Sequence, residues 1–334
     1  MDVPTRPLGS TGMDVTRVGF GAWAIGGGGW AFAWGRQDDD ESVAAIRHAV
    51  ESGINWIDTA AVYGNGHSEE VVARALREIP ERGRPFVFTK CGLVWDEANP
   101  MAQARRVGRA DSLRREVEAS LRRLGLERID LYQMHWPAED GTPIEQYWRT
   151  LLDLKAEGKV RAVGLSNHDI ARLDAAERIG HVETLQPPFS AIRREAAETV
   201  LPWCAVHRTG VIVYSPMQAG LLSGGFTAAR AASLPADDWR ARAPWFQGDA
   251  LRRNLALAEA LRPIADRHGT TVGAVAVAWT LAWPGVTGAI VGARRPSQID
   301  GWIDAARLEL TEADLTEVAA ALERTGAGSG PLRP

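Results

Sequence analysis

The stretch Ile129–Ser166, IDLYQMHWPAEDGTPIEQYWRTLLDLKAEGKVRAVGLS, reads as strand, loop, helix and strand. The run from Ile129 is short, apolar and ends on a polar residue, His135, as a buried strand does at its exit from a sheet. Thr142-Pro143-Ile144-Glu145 then reads as N-cap, N1 proline and capping-box acid. Ile144, Trp148, Leu151 and Leu152 recur at helical spacing, and Gly158 closes the helix. Val160 to Ser166 is a second apolar run with a polar end, Ser166 and Asn167. Two short strands joined by a helix imply a right-handed crossover and a parallel pair.

The same unit recurs on both sides of that stretch. Upstream, Arg17 to Gly21 is the first strand, preceded by a hairpin within about residues 1–16 that turns at Ser10-Thr11-Gly12. Asn55 to Asp58 is followed by a helix opening near Ser68. Phe86 to Lys90 is followed by a helix from about Asp111 to Leu124 that stops at Gly125. Downstream, Thr184 to Gln186, Val211 to Tyr214 and Gly288 to Val291 are strands, with helices near 168–178 and 199–208 and another from about Pro296. Eight repeats with no break in composition predict one α/β domain over residues 1–334, a (β/α)8 TIM barrel with a short N-terminal hairpin and long rim loops. An open doubly wound sheet is the rival and would need such a break. In a barrel the C-terminal strand ends converge on one rim, so Asp58, Lys90, His135, Asn167, Gln186 and Tyr214 are expected to form one polar cluster.

Composition agrees with one large core: 334 residues, 45% of them hydrophobic, with a net charge of −4. That charge offers no basic field for nucleic acid, and the arginine pairs are interleaved with acids on helix faces. No apolar leader opens the chain and no run is long enough to span a membrane, so a soluble cytoplasmic protein is expected. Two cysteines, Cys91 and Cys204, make no disulfide framework, and no Cys/His spacing matches a metal site. Alternation turns Cys91 away from its neighbour Lys90. The longest irregular stretch, about 217–248, is expected to be a cofactor or substrate loop, and the glycine-rich tail 326–334 is expected to be mobile. Oligomeric state is not legible in the sequence.

The rim residues suggest proton chemistry. A phenol gives up its proton near pH ~10 unless a cation favours the phenolate, and Lys90 is placed to be that cation. Asp58 would keep the lysine charged. Tyr63 follows Asp58 by five residues in D-T-A-A-V-Y-G-N-G, where a glycine-rich turn can fold the phenol back over the strand ends. His135 can orient a carbonyl. Together they make a general-acid site for reducing a carbonyl, with neither nucleophile nor metal. Taken singly, each has an ordinary explanation: a helix cap, a solvated lysine, a turn histidine.

Gly53–Glu70 (GINWIDTAAVYGNGHSEE), Phe88–Lys90 (FTK), Arg123–Pro137 (RLGLERIDLYQMHWP), Gly164–Asn167 (GLSN), Tyr214–Pro216 (YSP) and Val291–Gln298 (VGARRPSQ) together resemble the aldo-keto reductase family over nearly the whole chain. The resemblance implies a barrel binding NADPH, with NADH possible, and reducing an aldehyde or ketone. It places the family's tetrad on Asp58, Tyr63, Lys90 and His135, with Tyr63 the proton donor. It implies that Ser166, Asn167 and Gln186 hold the nicotinamide carboxamide, that Tyr214 stacks on the ring, and that Gly21, Trp23, Asp58 and Ser215 line the same groove. Met217, Gly220 and Leu221 fall where the family covers the pyrophosphate, and Gly292, Arg294, Arg295 and Gln298 on its adenosine-phosphate segment. The chain departs from the family at Gly301-Trp302, where Glu-Asn commonly grips the adenosine end. Trp302 could stack on adenine there, with packing between helices the favoured reading.

Thirteen tryptophans against seven phenylalanines and four tyrosines are unusual. Trp30, Trp95 and Trp136 lie in rim loops and are candidate substrate contacts, giving an apolar pocket. Gly26–Gly29 lacks the Lys-Ser/Thr of a phosphate loop and is expected to edge the substrate mouth. Gly164-Leu165-Ser166 lacks the second glycine of a nucleophile elbow. Two functions fit: a carbonyl reductase acting on small molecules, or a nucleotide-binding sensor on the same scaffold, like the potassium-channel β subunits.

Overall fold

The computed structural model describes residues 3–334. The predicted hairpin is β1 (Thr5–Pro7) with β2 (Asp14–Thr16), antiparallel. There follow β3 (Val18–Gly21), α1 (Asp39–Glu51), β4 (Trp56–Asp58), α2 (His67–Glu78) and β5 (Phe86–Cys91). A small hairpin, β6 (Leu93–Val94) with β7 (Arg105–Arg106), precedes α3 (Ala110–Leu124), β8 (Ile129–Met134), α4 (Ile144–Ala156), β9 (Val160–Ser166) and α5 (Ile170–Glu177). The chain continues through β10 (Thr184–Gln186), α6 (Val200–His207), β11 (Gly210–Tyr214), α7 (Ala228–Ala232), α8 (Gly248–Ala260), α9 (Arg262–Arg267) and α10 (Val272–Leu281). It ends with β12 (Gly288–Gly292), α11 (Pro296–Asp300) and α12 (Glu312–Thr325). The strands β3, β4, β5, β8, β9, β10, β11 and β12 pair in parallel, in that order, and close into a barrel. This is the expected (β/α)8 architecture.

Alternation along the strands divides the apolar residues between two cores. Trp56, Phe88, Leu131, Ala162, Ile212 and Ile290 fill the barrel, and Leu8, Met13 and Val15 of the first hairpin close it from below. The second core lies between the strands and the helices. Trp56 forces one glycine: a Cβ on Gly19 would lie 2.2 Å from the indole. The indole N–H donates to Thr16 O at 2.8 Å, tying the barrel to its plug. Gly125, left-handed at φ 65°, ends α3 as the sequence indicated.

Three local expectations need correction. Pro143, not Thr142, is the N-cap of α4, and having no side-chain oxygen it cannot form the predicted capping box. Thr142 N–H donates instead to Asp140 Oδ1. The stretch 217–248 is not uniformly irregular; it contains α7 and short 3-10 turns at Trp239–Arg242 and Pro244–Phe246. The segment expected to be a mobile tail is held in place over Ala327–Gly330. Arg194 donates to the carbonyls of Ala327 and Gly330, and Ser329 N–H donates to Ile192 O.

Candidate active site

Four strand ends and one turn build the centre of the site. On β5, Phe88 and Lys90 point into the barrel while Cys91 faces the outer core, as alternation predicts. Lys90 is buried, and its ammonium donates to Asp58 Oδ1 at 2.6 Å and to Thr59 O at 2.9 Å. The other oxygen of Asp58 accepts from Gln186 Nε2 at 2.9 Å. Burial pushes the Asp58 carboxyl up and the Lys90 ammonium down, while each one's charge opposes the shift of the other. The short contact with two supporting hydrogen bonds keeps the pair ionised.

Tyr63 opens a turn in which Gly64, Asn65 and Gly66 all take positive φ. That turn brings the phenol back over the rim, as the glycine-rich segment suggested. A Cβ on Gly64 would lie 2.0 Å from Gly26 O, so the turn also demands glycine where the two loops touch. The phenol oxygen is 3.5 Å from Lys90 Nζ, and the ring faces His135 edge-on with centroids 5.7 Å apart. One expectation fails here. Burial, with Asp58 adding to it, holds the Tyr63 phenol well above its ordinary range. The Lys90 ammonium beside it, its charge largely matched by Asp58, does not outweigh that burial. Tyr63 is therefore a neutral, protonated donor.

His135 is buried and its imidazole is held neutral, first by burial and then by the charges of Lys90 and Arg106. Its carbonyl accepts from Asn167 Nδ2 at 2.9 Å, and Asn167 Oδ1 accepts from Tyr214 OH at 2.8 Å. Asn167 needs φ 62° to reach inward. Behind it, His168 bridges Ser166 O and Tyr147 OH, each at 2.8 Å, and fixes the turn.

A cavity of about 400 Å³ opens above these groups. Asp58, Tyr63, His135, Asn167, Gln186 and Tyr214 line it, as do Gly21, Trp23, Ser215, Met217 and Gly220. Gly292, Arg294 and Gln298 lie in its wall, and so do Trp30 and Trp136. Five predicted residues stand elsewhere. Lys90 lies behind Tyr63 and acts only through its neighbours. Ser166 is buried behind the wall, donating to Gln186 O. Leu221 is buried and packs in the outer core. Trp95 lies under the Arg123 guanidinium, 5.8 Å from its ring centre, and Arg295 lines an adjoining cleft shared with Arg36, Arg230 and Arg294. Trp302 is buried among helices and stacks on nothing in the groove.

Residues the sequence did not single out complete the wall: Phe32, Trp34, Arg106, Phe226, Arg230 and Arg240. Trp239 stacks on Trp23 at 5.1 Å and Trp34 meets both edge-on, so the loop before α1 and the long loop after β11 interlock. Arg294, expected to meet a phosphate, spends its guanidinium on Gln37 and on the carbonyls of Trp34 and Arg36. Among the described residues no carboxylate forms an ion pair with Arg230; its guanidinium lies 5.3 Å from the Phe226 ring. Only the clustering of arginines across two distant segments could have flagged it.

The groove suits a dinucleotide. Asn167 and Gln186 present amides beside the flat face of Tyr214. Ser215, Gln218, Ala219 and Gly220 have positive φ, and the loop is tightened by Gln218 N–H donating to Ser215 O and Gly220 N–H donating to Met217 O. Arginines 230, 294 and 295 stand at the far end. The aldo/keto reductase family model matches residues 17–323.

The chain belongs to the aldo/keto reductase family.

It is 35% identical over 319 residues to aldo-keto reductase YhdN of Bacillus subtilis, covering 95% of this chain and 93% of that protein. It is 36% identical over 332 residues to the NADH-specific methylglyoxal reductase of Escherichia coli, covering 95% and 99%. A solved structure, the glycerol dehydrogenase AKR11B4 of Gluconobacter oxydans, superposes with a TM-score of 0.88 at 38% identity, covering 99% and 98%. As a member of this family the protein is an NAD(P)H-dependent oxidoreductase. Among the described residues no helix is long and apolar enough to cross a membrane, and no group of His, Cys, Asp and Glu could hold a metal ion.

Proposed function

We propose that the protein reduces aldehydes or ketones to alcohols with NADPH, using Tyr63 as the proton donor. The observation that carries this reading is the neutral Tyr63 phenol beside the Lys90–Asp58 pair and His135, in the wall of one cavity. The nicotinamide, when bound, supplies a hydride to the carbonyl carbon. Tyr63 gives its proton to the carbonyl oxygen, so aldehyde, NADPH and one proton become alcohol and NADP+. The phenolate left behind is stabilised by the Lys90 ammonium, whose charge Asp58 and Thr59 hold in place. His135, neutral, donates to the same carbonyl oxygen and fixes its approach. Asn167 and Gln186 bind the carboxamide, Tyr214 carries the ring, and the apolar walls exclude water.

NADPH is preferred in this reading because Arg230 and Arg295, with no carboxylate ion-pair partner among the described residues, share with Arg36, Arg294 and Gln298 a cleft in which four arginines outnumber the two carboxylates, Asp38 and Glu41. The Escherichia coli relative is named NADH-specific, so the preference needs a direct test. Consumption of NADPH and NADH is followed at one wavelength over a panel of aromatic and aliphatic aldehydes. A kcat/KM at least tenfold higher with NADPH is expected, and equal or reversed values would discard the preference while leaving the reductase reading intact.

A further inference from the structure

At the Tyr63 end the cavity is walled by aromatic groups, with one charged side chain that still has donors to give. Arg106 closes β7 at the lip of the cavity. Its guanidinium lies over Trp136, 4.5 Å from the ring centre. The group is close enough to His135 for its charge to disfavour the imidazolium. Of its five N–H donors, only one on Nη1 is taken, by Glu139; Nε and Nη2 have no partner among the described residues. Stacking on the indole fixes the guanidinium plane and leaves an edge that a carboxylate can meet with two parallel hydrogen bonds. Glu139 does not compete strongly, since it is 65% exposed and such pairs are worth ~0–1 kcal/mol.

The other charges of the wall are differently placed. Asp58 is committed to Lys90 and Gln186. Arg230, Arg240 and Arg294 form a group at the opposite end, where burial first and then the charge of Arg240 lower the affinity of Arg230 and Arg294 for their protons. Among the described residues lining the cavity Asp58 is the only carboxylate, so Arg106 offers its charge to an anion.

Building on the reductase reading, we propose that the preferred substrates are carbonyl compounds that also carry a carboxylate, oxo acids and semialdehydes, and that Arg106 selects them. The carboxylate is bound and unchanged; only the carbonyl is reduced, as above.

The test uses matched probes of nearly equal shape: 4-carboxybenzaldehyde against 4-carbamoylbenzaldehyde, and 4-oxobutanoate against 4-oxobutanamide. The acid is expected to exceed its amide at least tenfold in kcat/KM in one pair or both at low salt, with the ratio falling as salt screens the charge. Arg106→Met brings the ratio close to one, and Arg106→Lys restores it in part. Glu139→Gln raises it and serves alone if Arg106→Met does not fold. Equal rates for acid and amide in both pairs overturn the proposal, as does a ratio unchanged in Arg106→Met or not raised in Glu139→Gln. Reduction of the amides without preference for the acids sinks only this inference; reduction of no probe sinks the reductase reading and this one with it.

Discussion

The two ends of the cavity are assembled by different means. At the Tyr63 end the functional groups stand on neighbouring strand termini, and barrel register fixes where each one points. Asp58 pairs with Phe88 and Lys90 with Gln133 in parallel register, and Gln186 pairs with Ser166. At the arginine end the groups come from loops: the segment before α1, the long loop after β11 and the start of α11. There the geometry depends on contacts between side chains and carbonyls, as in the Arg294 links to residues 34–37. The first end should tolerate no loss; the second should lose affinity by degrees.

The largest expected effect tests the rigid end. Lys90→Met leaves Asp58 buried without its cation, which costs ~3–5 kcal/mol. Denaturant melting is expected to show that loss together with abolished turnover, and an unchanged midpoint would contradict the buried pair. At the loop end, Arg230→Ala is expected to raise the KM for NADPH about tenfold, the loss of one charge-assisted hydrogen bond, and to leave the KM for NADH nearly unchanged. Arg294→Met, acting through the 34–37 loop, should raise both by similar, smaller factors and speed amide exchange in that loop. If Arg294→Met alone discriminates between the two cofactors, the roles given to these arginines are reversed.

A smaller effect concerns the hairpin that carries Arg106. Glu116 on α3 anchors it by accepting from Gly92 N–H at 2.7 Å, and burial raises its carboxyl to about 7. Because the folded-state value lies above the ordinary 4.5, the folded chain binds a proton that the unfolded chain has lost between pH 4.5 and 7. Stability from this group therefore falls as pH rises through that window and levels off above it. The loss from pH 5 to 8 is on the order of 2 kcal/mol, and Glu116→Gln should flatten the slope measured by thermal melting.

The contrast also explains what could be read in advance. Asp58, Lys90 and His135 were legible because strand alternation and a common rim dictate their direction, and Tyr63 because three glycine or asparagine residues follow it. Loop residues carry no such period. Trp95 looked like a pocket residue but lies under Arg123, and Leu221 turned into the core although its neighbour Gly220 lines the groove. Ser166 was placed one layer too near the cavity, since its hydroxyl serves Gln186 O. Arg230 sits in an undistinguished alanine-rich helix, and only folding brings it beside Arg295. The pinned tail follows from Arg194, whose targets lie more than a hundred residues away.

The central claim is that Tyr63 delivers the proton. The direct measurement is single-turnover reduction of an aldehyde by the Tyr63→Phe variant, with cofactor binding measured on the same preparation. The account predicts a rate at least ~100-fold lower with cofactor affinity unchanged, because the ring and its contacts with Trp23 and His135 remain. A rate close to that of the unmodified protein, with the cofactor bound, would contradict it.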